Sequence, residues 1–308
     1  MKDVLQMLNN CNISLLPPDT PSYIIDYERE EVSGPLPDGS LQRTISSWMK
    51  RDFIGSGSFG TVYTAIDQDG FLFAVKETFI DKDSSANQST LQLEQEVMLL
   101  SRLQHVNIVQ YYGSDLKDGK LSIFLELATQ GSLASLYQKY CFQESHVSAY
   151  TRQILKGLTY LHHRNIIHRD IKCANILVDS NGCVKLADFG LAKEINNLIQ
   201  ARSCKGSWYW MAPEVVTASP YGTSADIWSL GCTVLEMLTR KHPFPELEFQ
   251  QALFKIAKGE QPQIPITLSD NARDFIDHCL QVNPENRPSA AALLQHPFIR
   301  SRISDDAE

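Results

Sequence analysis

The sequence predicts an α+β chain in two unequal parts, a small five-stranded antiparallel sheet with one main helix followed by a larger, mainly helical part. Three observations predict it. Short runs of β-branched and aromatic residues crowd residues 53–75 and 109–126, and tight-turn dipeptides join them. From Gly131 onward, apolar residues recur mainly at helical spacing. Strands first and helices later is the order of a segregated α+β fold, not of an alternating doubly wound sheet.

Residues 1–47 read as an extension or linker. Leu15-Leu16-Pro17-Pro18 and the stretch Gly34 to Gly39 place chain breakers around the charge run Glu28-Arg29-Glu30-Glu31, so no amphipathic element longer than a few turns fits. Met1 to Asn10 is compatible with a short helix bearing Val4, Leu5 and Leu8 on one face, and equally with no fixed structure. Phe53-Ile54, Thr61 to Ile66 and Phe71 to Val75 then form a meander, the last two joined by Asp69-Gly70. Leu91, Leu93, Val97, Met98, Leu99, Leu100 and Leu103 recur near helical spacing and predict one helix of roughly four turns. A second hairpin pairs Val109 to Tyr112 with Leu121 to Glu126 through Asp118-Gly119, which completes five strands.

The second part opens with a long helix over His146 to His163, with Val147, Tyr150, Ile154, Leu158 and Leu161 on one face. A small hairpin follows, Ile176 to Val178 with Val184 to Leu186 around Asn181-Gly182. An apolar helix covers Asp226 to Thr239, and three shorter helices fill the chain up to about Phe298. The reading is one folded unit over 48–299, divided into 48–128 and 129–299, with a tail at 300–308.

Composition excludes several function classes. The 36 acidic and 28 basic residues give a formal charge of -8, which argues against nucleic acid or an anionic membrane as the main partner. Cys11, Cys141, Cys173, Cys183, Cys204, Cys232 and Cys279 are an odd count, widely spread and without paired C-x-x-C spacing, so neither zinc nor a redox motif is suggested. Reduced thiols in a cytoplasmic protein are expected, with the nucleus also open. No apolar run approaches the ~18 residues of a membrane span, and no secretory leader is read.

Gly55-Ser56-Gly57-Ser58-Phe59-Gly60 fits G-x-G-x-x-G, a pattern shared by dinucleotide folds and phosphate-covering hairpins. Glu77 satisfies the spacing of a ribose-binding acid, but a β-branched run follows the glycines where a dinucleotide fold needs a helix. Between two strands, missing side chains let backbone amides approach phosphate oxygens. Ala74-Val75-Lys76 puts a cation on the strand that pairs with this hairpin, and Glu96 in the next helix is the acid expected to hold it. Glu94 competes for that role, but it lies well round the helix from Glu96.

His168-Arg169-Asp170-Ile171-Lys172-Cys173-Ala174-Asn175, then Asp188-Phe189-Gly190, then Ala212-Pro213-Glu214 follow in order. With the glycine loop and Lys76, this set resembles the eukaryotic protein kinases over about residues 48–299. Lys172 in Asp-Ile-Lys resembles the serine/threonine branch. Trp210 to Glu214, Gly131-Ser132-Leu133 and Asp226 to Cys232 resemble the MAP kinase kinase kinases. Phe124 to Leu127, Tyr150 to Leu155 and Asp188 to Lys193 resemble their MEKK branch in plants.

The resemblance implies a bilobal kinase fold and transfer of the γ-phosphate of ATP to a protein substrate, a MAP kinase kinase. Asp170 would accept or orient the substrate hydroxyl proton, and Lys172 would neutralise the transferring group. Asn175 and Asp188 offer hard oxygen ligands for Mg2+. The glycine loop with flanking Ile54, Thr61 and Val62 would cover the nucleotide. Val62, Ala74 and Leu177 would sandwich adenine, Glu126 and Ala128 would meet it through their backbone, and Leu125 would control a rear pocket. His168 and Phe189 are expected to stack with Leu100 and Tyr111 as an apolar column anchored by Asp226, and Glu214 and Arg287 to form a buried ion pair. Ser203, with Arg202 and Lys205 nearby, is the expected activating phosphorylation site, and Arg169 is expected as an unpaired cation able to receive its phosphate. Ser207 is expected to bond Asp170 and Lys172. Trp208 departs from the family pattern, where a smaller residue usually follows that serine or threonine, and this bears on fine substrate specificity. The competing classes are a pseudokinase acting as a scaffold and a nucleotide-binding interaction module. The upstream activator is not legible.

Overall fold

A computed structural model of the chain describes residues 45–57, 60–79, 95–195 and 207–300. The expectations for residues 1–44, Ser58, Phe59, Leu91, Leu93, Glu94, Arg202, Ser203, Lys205 and the 301–308 tail lie outside these residues.

Five strands form the predicted antiparallel sheet: β1 (Trp48–Gly57), β2 (Gly60–Asp67), β3 (Leu72–Phe79), β4 (Tyr111–Lys117) and β5 (Lys120–Leu125), in the spatial order β1-β2-β3-β5-β4. The turn between β2 and β3 is made by Asp67, whose Oδ1 accepts the amides of Asp69 and Phe71 at 2.9 Å, while Gly70 supplies the positive φ of 82°. Because side chains alternate across a pleated sheet, the pairing sorts residues by face. Val62, Lys76 and Ile123 are direct partners, as are Thr64, Ala74 and Leu125, so these six share one face. Ala65, Phe73, Val75 and Phe124 lie on the other, where Trp48, Phe71 and Tyr112 complete an apolar cluster.

The described part of helix α1 covers 95–100 and packs Val97 against Leu121 and Ile123 on the Lys76 face. Val109 and Gln110, expected in the fourth strand, precede it. Their neighbours serve a different contact: Ile108 bridges Leu186, the Val109 amide donates to the Leu186 carbonyl at 2.9 Å, and this ties the first lobe to the second.

The second lobe is built on α2 (Leu133–Lys139), α3 (Glu144–His162) and α4 (Pro213–Val216), with α5 (Ser224–Thr239) at its centre. Val147, Ile154, Leu158 and Leu161 of α3 are fully buried, as its periodicity requires, whereas Tyr150 stays half-buried at the edge. The predicted hairpin appears as β8 (Ile176–Val178) and β9 (Val184–Leu186), joined by β6 (Gly131–Ser132) into a three-stranded sheet. β7 (Ile166–Ile167) pairs with β10 (Lys193–Glu194). The C-terminal part contains four short helices among the described residues where three were expected: α6 (Phe249–Ala257), α7 (Asp270–Cys279), α8 (Ala290–Leu293) and α9 (Pro297–Arg300). Pro297 has no amide to continue α8, and the imidazole Nδ1 of His296 accepts the Phe298 amide at 3.2 Å, which starts a new turn. No helix among the described residues is long and apolar enough to cross a membrane.

Candidate active site

The glycine loop sits where the strand reading put it, at the end of the β1–β2 hairpin, with Gly55 opposite Val62, Ser56 opposite Thr61 and Gly57 opposite Gly60. Gly60 has φ +130°, and a Cβ there would meet the Glu77 carbonyl oxygen at 2.2 Å, so the turn admits only glycine. Glu77 lies on the opposite sheet face from Lys76 and pairs with Lys50 at 2.5 Å and Lys120 at 3.5 Å, which removes the dinucleotide reading.

Lys76 reaches Glu96 of α1, with Nζ 2.7 and 2.9 Å from the two carboxylate oxygens. Its Nζ is also 3.5 Å from Asp188 Oδ1. Burial alone would lower the ammonium pKa, but the two carboxylates outweigh it and raise the pKa above 10.5, so Lys76 is a permanent cation.

Around Asp170 three residues converge. Lys172 Nζ lies 2.9 Å from Asp170 Oδ2, the Ser207 amide donates to Oδ1 at 3.0 Å, and Asn175 Nδ2 donates to both Oδ2 (2.6 Å) and the Asp170 carbonyl (2.9 Å). Lys172 Nζ also donates to Ser207 Oγ. Burial pushes the Asp170 carboxyl up, and Lys172 and Ser207 more than offset this, so it rests below its ordinary 3.8 and is ionised at neutral pH. With its nitrogen committed to Asp170, the Asn175 side chain has its oxygen left to offer. Asp188 adopts a left-handed backbone with φ 61°, and its buried Oδ1 accepts no hydrogen bond. A carboxylate oxygen without a hydrogen bond, faced by the Lys76 ammonium at 3.5 Å, and an amide oxygen are hard donors of the kind a divalent cation takes, so the residues present fit magnesium.

The expected adenine wall is assembled in part from one sheet face, which carries Val62, Ala74 and Leu125. Leu177 stands on β8, half-buried against the main core. The Glu126 amide donates to the Gln110 carbonyl at 2.8 Å, so only its own carbonyl is left for a ligand, while its carboxylate pairs with Lys185 at 2.7 Å.

A sequence profile of the protein kinase domain matches residues 48–299. The chain belongs to the protein kinase domain family. It is 58% identical over 268 residues to mitogen-activated protein kinase kinase kinase 1 of Arabidopsis thaliana, covering 86% of this chain and 44% of that protein. It is 58% identical over 255 residues to mitogen-activated protein kinase kinase kinase 1b of Physcomitrium patens, covering 82% and 33%. With the Arabidopsis protein YODA it shares 51% over 261 residues, covering 83% and 30%. The chain thus spans less than half the length of these curated relatives.

In this kinase domain a polar stripe on the buried helix α5 carries the loop that holds Asp170. Asp226 accepts the amides of His168 and Arg169 at 2.9 Å each, Thr233 Oγ1 donates to the Ile171 carbonyl at 3.3 Å, and Glu236 accepts the Cys173 amide at 3.2 Å. Ser229 Oγ donates to the Trp210 carbonyl at 2.8 Å. Positions 226, 229, 233 and 236 fall on one helical face. Sequence reasoning found only Asp226, yet polar residues at that spacing inside an apolar helix were the available signal.

His168 is fully buried, its ring 4.9 Å from that of Phe189, which lies with Leu100 in the main core against which Tyr111 packs. Burial lowers its pKa from 6.5, so the ring is neutral and serves as packing. Glu214 and Arg287 form the expected buried ion pair, and it is bidentate, at 2.6 and 2.9 Å. The Arg169 guanidinium is engaged with two neutral acceptors, donating to the Leu191 carbonyl and to the Tyr221 hydroxyl. A left-handed backbone with φ 69° turns it toward those partners. Trp208 is 41% exposed, with its ring 6.4 Å from that of Phe249, beside Ser207.

Proposed function

We propose that this chain is an active, Mg-ATP-dependent serine/threonine kinase that phosphorylates MAP kinase kinases in a signalling cascade. The observation that carries the reading is the convergence of Lys172, Asn175 and Ser207 on one ionised carboxylate, Asp170. Phosphoryl transfer needs a positioned acceptor and charge neutralisation, and little covalent chemistry. Asp170 would orient the acceptor hydroxyl and take its proton as its oxygen bonds the γ-phosphorus and the bond from that phosphorus to the β–γ bridging oxygen breaks, releasing ADP. Lys172 would face the charge on the transferring group, and Lys76, held by Glu96, would face the α- and β-phosphates. Asn175 and Asp188 would hold the magnesium, which when bound supplies positive charge to the terminal phosphates. Gly55 to Val62 with Ile54 would cover the phosphates. Val62, Ala74, Leu125 and Leu177 would enclose adenine, and the Glu126 carbonyl with the Ala128 amide would hydrogen-bond it. The substrate class rests on likeness to relatives that bear the mitogen-activated protein kinase kinase kinase name. A cytoplasmic location with access to the nucleus, and activation by phosphate on Ser203, belong to the same proposal.

The test is transfer of labelled γ-phosphate from ATP to an inactive MAP kinase kinase by the full chain, isolated in several phosphorylation states of residues 188–214. Asp170→Asn is expected to lower the rate by about 10²–10⁴-fold, and the label should appear on serine or threonine. A scaffold-type pseudokinase would show wild-type transfer no higher than that of Asp170→Asn.

A further inference from the structure

Near the C-terminal end of the second lobe, three residues outside the catalytic set gather imidazole and carboxylate donors. Asp274 and His278 stand one turn apart on α7, so their side chains share a helical face. His296, between α8 and α9, is 22 positions from Asp274 in the chain. One ligand atom from each residue lies within 4.8 Å of those of the other two. Among the described residues no other three His, Cys, Asp or Glu side chains meet in this way.

Each oxygen of the Asp274 carboxylate faces a different imidazole. Oδ2 is 2.9 Å from His296 Nε2, and Oδ1 is 3.4 Å from His278 Nδ1, which also bonds the Asp274 carbonyl at 2.8 Å. A hydrogen bond from His296 to Asp274 would pin this turn without help from His278. The buried Phe275 ring packs edge-on against His296 with centroids 5.2 Å apart, and the two imidazoles are 5.6 Å apart. His296 is therefore held in place with its side chain 10% exposed, while Asp274 at 57% and His278 at 48% are free to adjust. Arg273, the cation next to Asp274, is drawn off by Asp270.

We propose that Asp274, His278 and His296 bind a zinc-type divalent ion that clasps α7 to the start of α9. Two imidazoles and one carboxylate suit Zn2+, with water in the fourth position, whereas Mg2+ prefers an all-oxygen octahedron. Bonds of about 2.0–2.2 Å require the three donors to draw closer, which rotation of the half-exposed Asp274 and His278 side chains provides. His296 Nδ1 accepts the Phe298 amide, so the neutral ring carries its proton on Nε2. On binding, that proton moves to Nδ1, the Phe298 amide bond is given up, and the ion takes the proton's place between His296 and Asp274. His278 keeps one ring proton and turns to offer the nitrogen that bears the lone pair.

The probe is Zn2+ alone, titrated calorimetrically into the full chain after chelator treatment, beside His278→Ala and Asp274→Asn. His278→Ala removes a half-exposed ring and leaves the His296 contact whole, so it remains informative where Asp274→Asn loosens the fold. The wild type is expected to bind one equivalent that each variant loses or holds at least about tenfold more weakly. Saturating Zn2+ should raise the melting temperature of the wild type by more than that of His278→Ala. Co2+ used as a spectroscopic stand-in should show, for the equivalent lost in His278→Ala, no thiolate charge-transfer band, which separates this site from the seven cysteines. Equal stoichiometry and affinity in the wild type and His278→Ala, or a thiolate band on the lost equivalent, would overturn the proposal. Neither readout involves phosphate transfer, so the proposal stands or falls independently of the kinase reading.

Discussion

At the scale of single residues, the site is governed by which charges are paired and which are left over. Lys76 has two carboxylates, Glu96 at 2.7 Å and Asp188 at 3.5 Å, and Asp170 has Lys172 at 2.9 Å. Asp188 Oδ1 is left without a hydrogen bond although it is buried, a cost that a bound cation would offset. Replacing Asp188 by Asn keeps the shape and removes the charge. The magnesium concentration for half-maximal phosphate transfer should then rise by at least about tenfold, measured by metal titration at saturating ATP. An unchanged magnesium requirement would remove Asp188 from the metal site. Trp208 and Phe249 stay exposed with their rings 6.4 Å apart, and Trp208 follows Ser207 in the chain.

At the scale of elements, helix α5 unites the lobe. Its apolar positions, Trp228 and Leu230 among them, are buried in the core, and its polar stripe carries the 168–173 loop. At Gly231 α7 lies so near that a Cβ there would be 2.6 Å from Cys279 Cβ. The end of the 207–214 segment is tied down separately, by Glu214 of α4 against Arg287. Both members are buried, and Arg287 also donates to the Gln281, Ser224 and Val282 carbonyls. Removing it strands a carboxylate and three carbonyls. Arg287→Leu is therefore expected to cost about 3–5 kcal/mol in urea unfolding, and a loss below about 1 kcal/mol would mean the pair behaves like a surface contact.

For the whole molecule, buried titratable groups set how stability depends on pH. Burial lowers the His168 pKa from 6.5, so below that value the unfolded chain binds a proton the native ring refuses, and stability falls with pH. Asp226 moves the same way in a lower window. Burial pushes its pKa up, but the hydrogen bond from His162 and that residue's charge outweigh this and hold it below 3.8. Its contribution is complete above 3.8 and is lost as pH falls through the native value. Asp170 adds to this second window. Melting temperature recorded from pH 7.5 to 3 should fall in two stages, first below about 6.5 and then more steeply below about 4. A flat profile down to pH 4 would contradict the neutral, buried state of His168.

Much of this was legible in the chain before any coordinates. β-branched runs, turn dipeptides and helical periodicity announce a sheet lobe before a helical lobe, because those patterns act over a few residues and are written locally. The glycine loop, Lys76, Glu96, Asp170, Asn175 and Asp188 stood out for the same reason, each inside a short motif. The two-residue strands β6, β7 and β10 were not legible, since two residues have no period and exist only where a distant partner supplies the other edge. Nor was the use of Arg169, whose partners lie 22 and 52 positions away, nor the gathering of three hydrogen bonds on the buried Glu236, whose donors come from residues 137, 173 and 210. What the sequence determined by itself was the identity of the chemical groups and the local elements that bear them. The tertiary structure decided which groups meet, because burial in a common core and pairing across long loops alone bring Lys76 to Glu96 and Ser207 to Asp170, and leave one oxygen of Asp188 without a hydrogen bond.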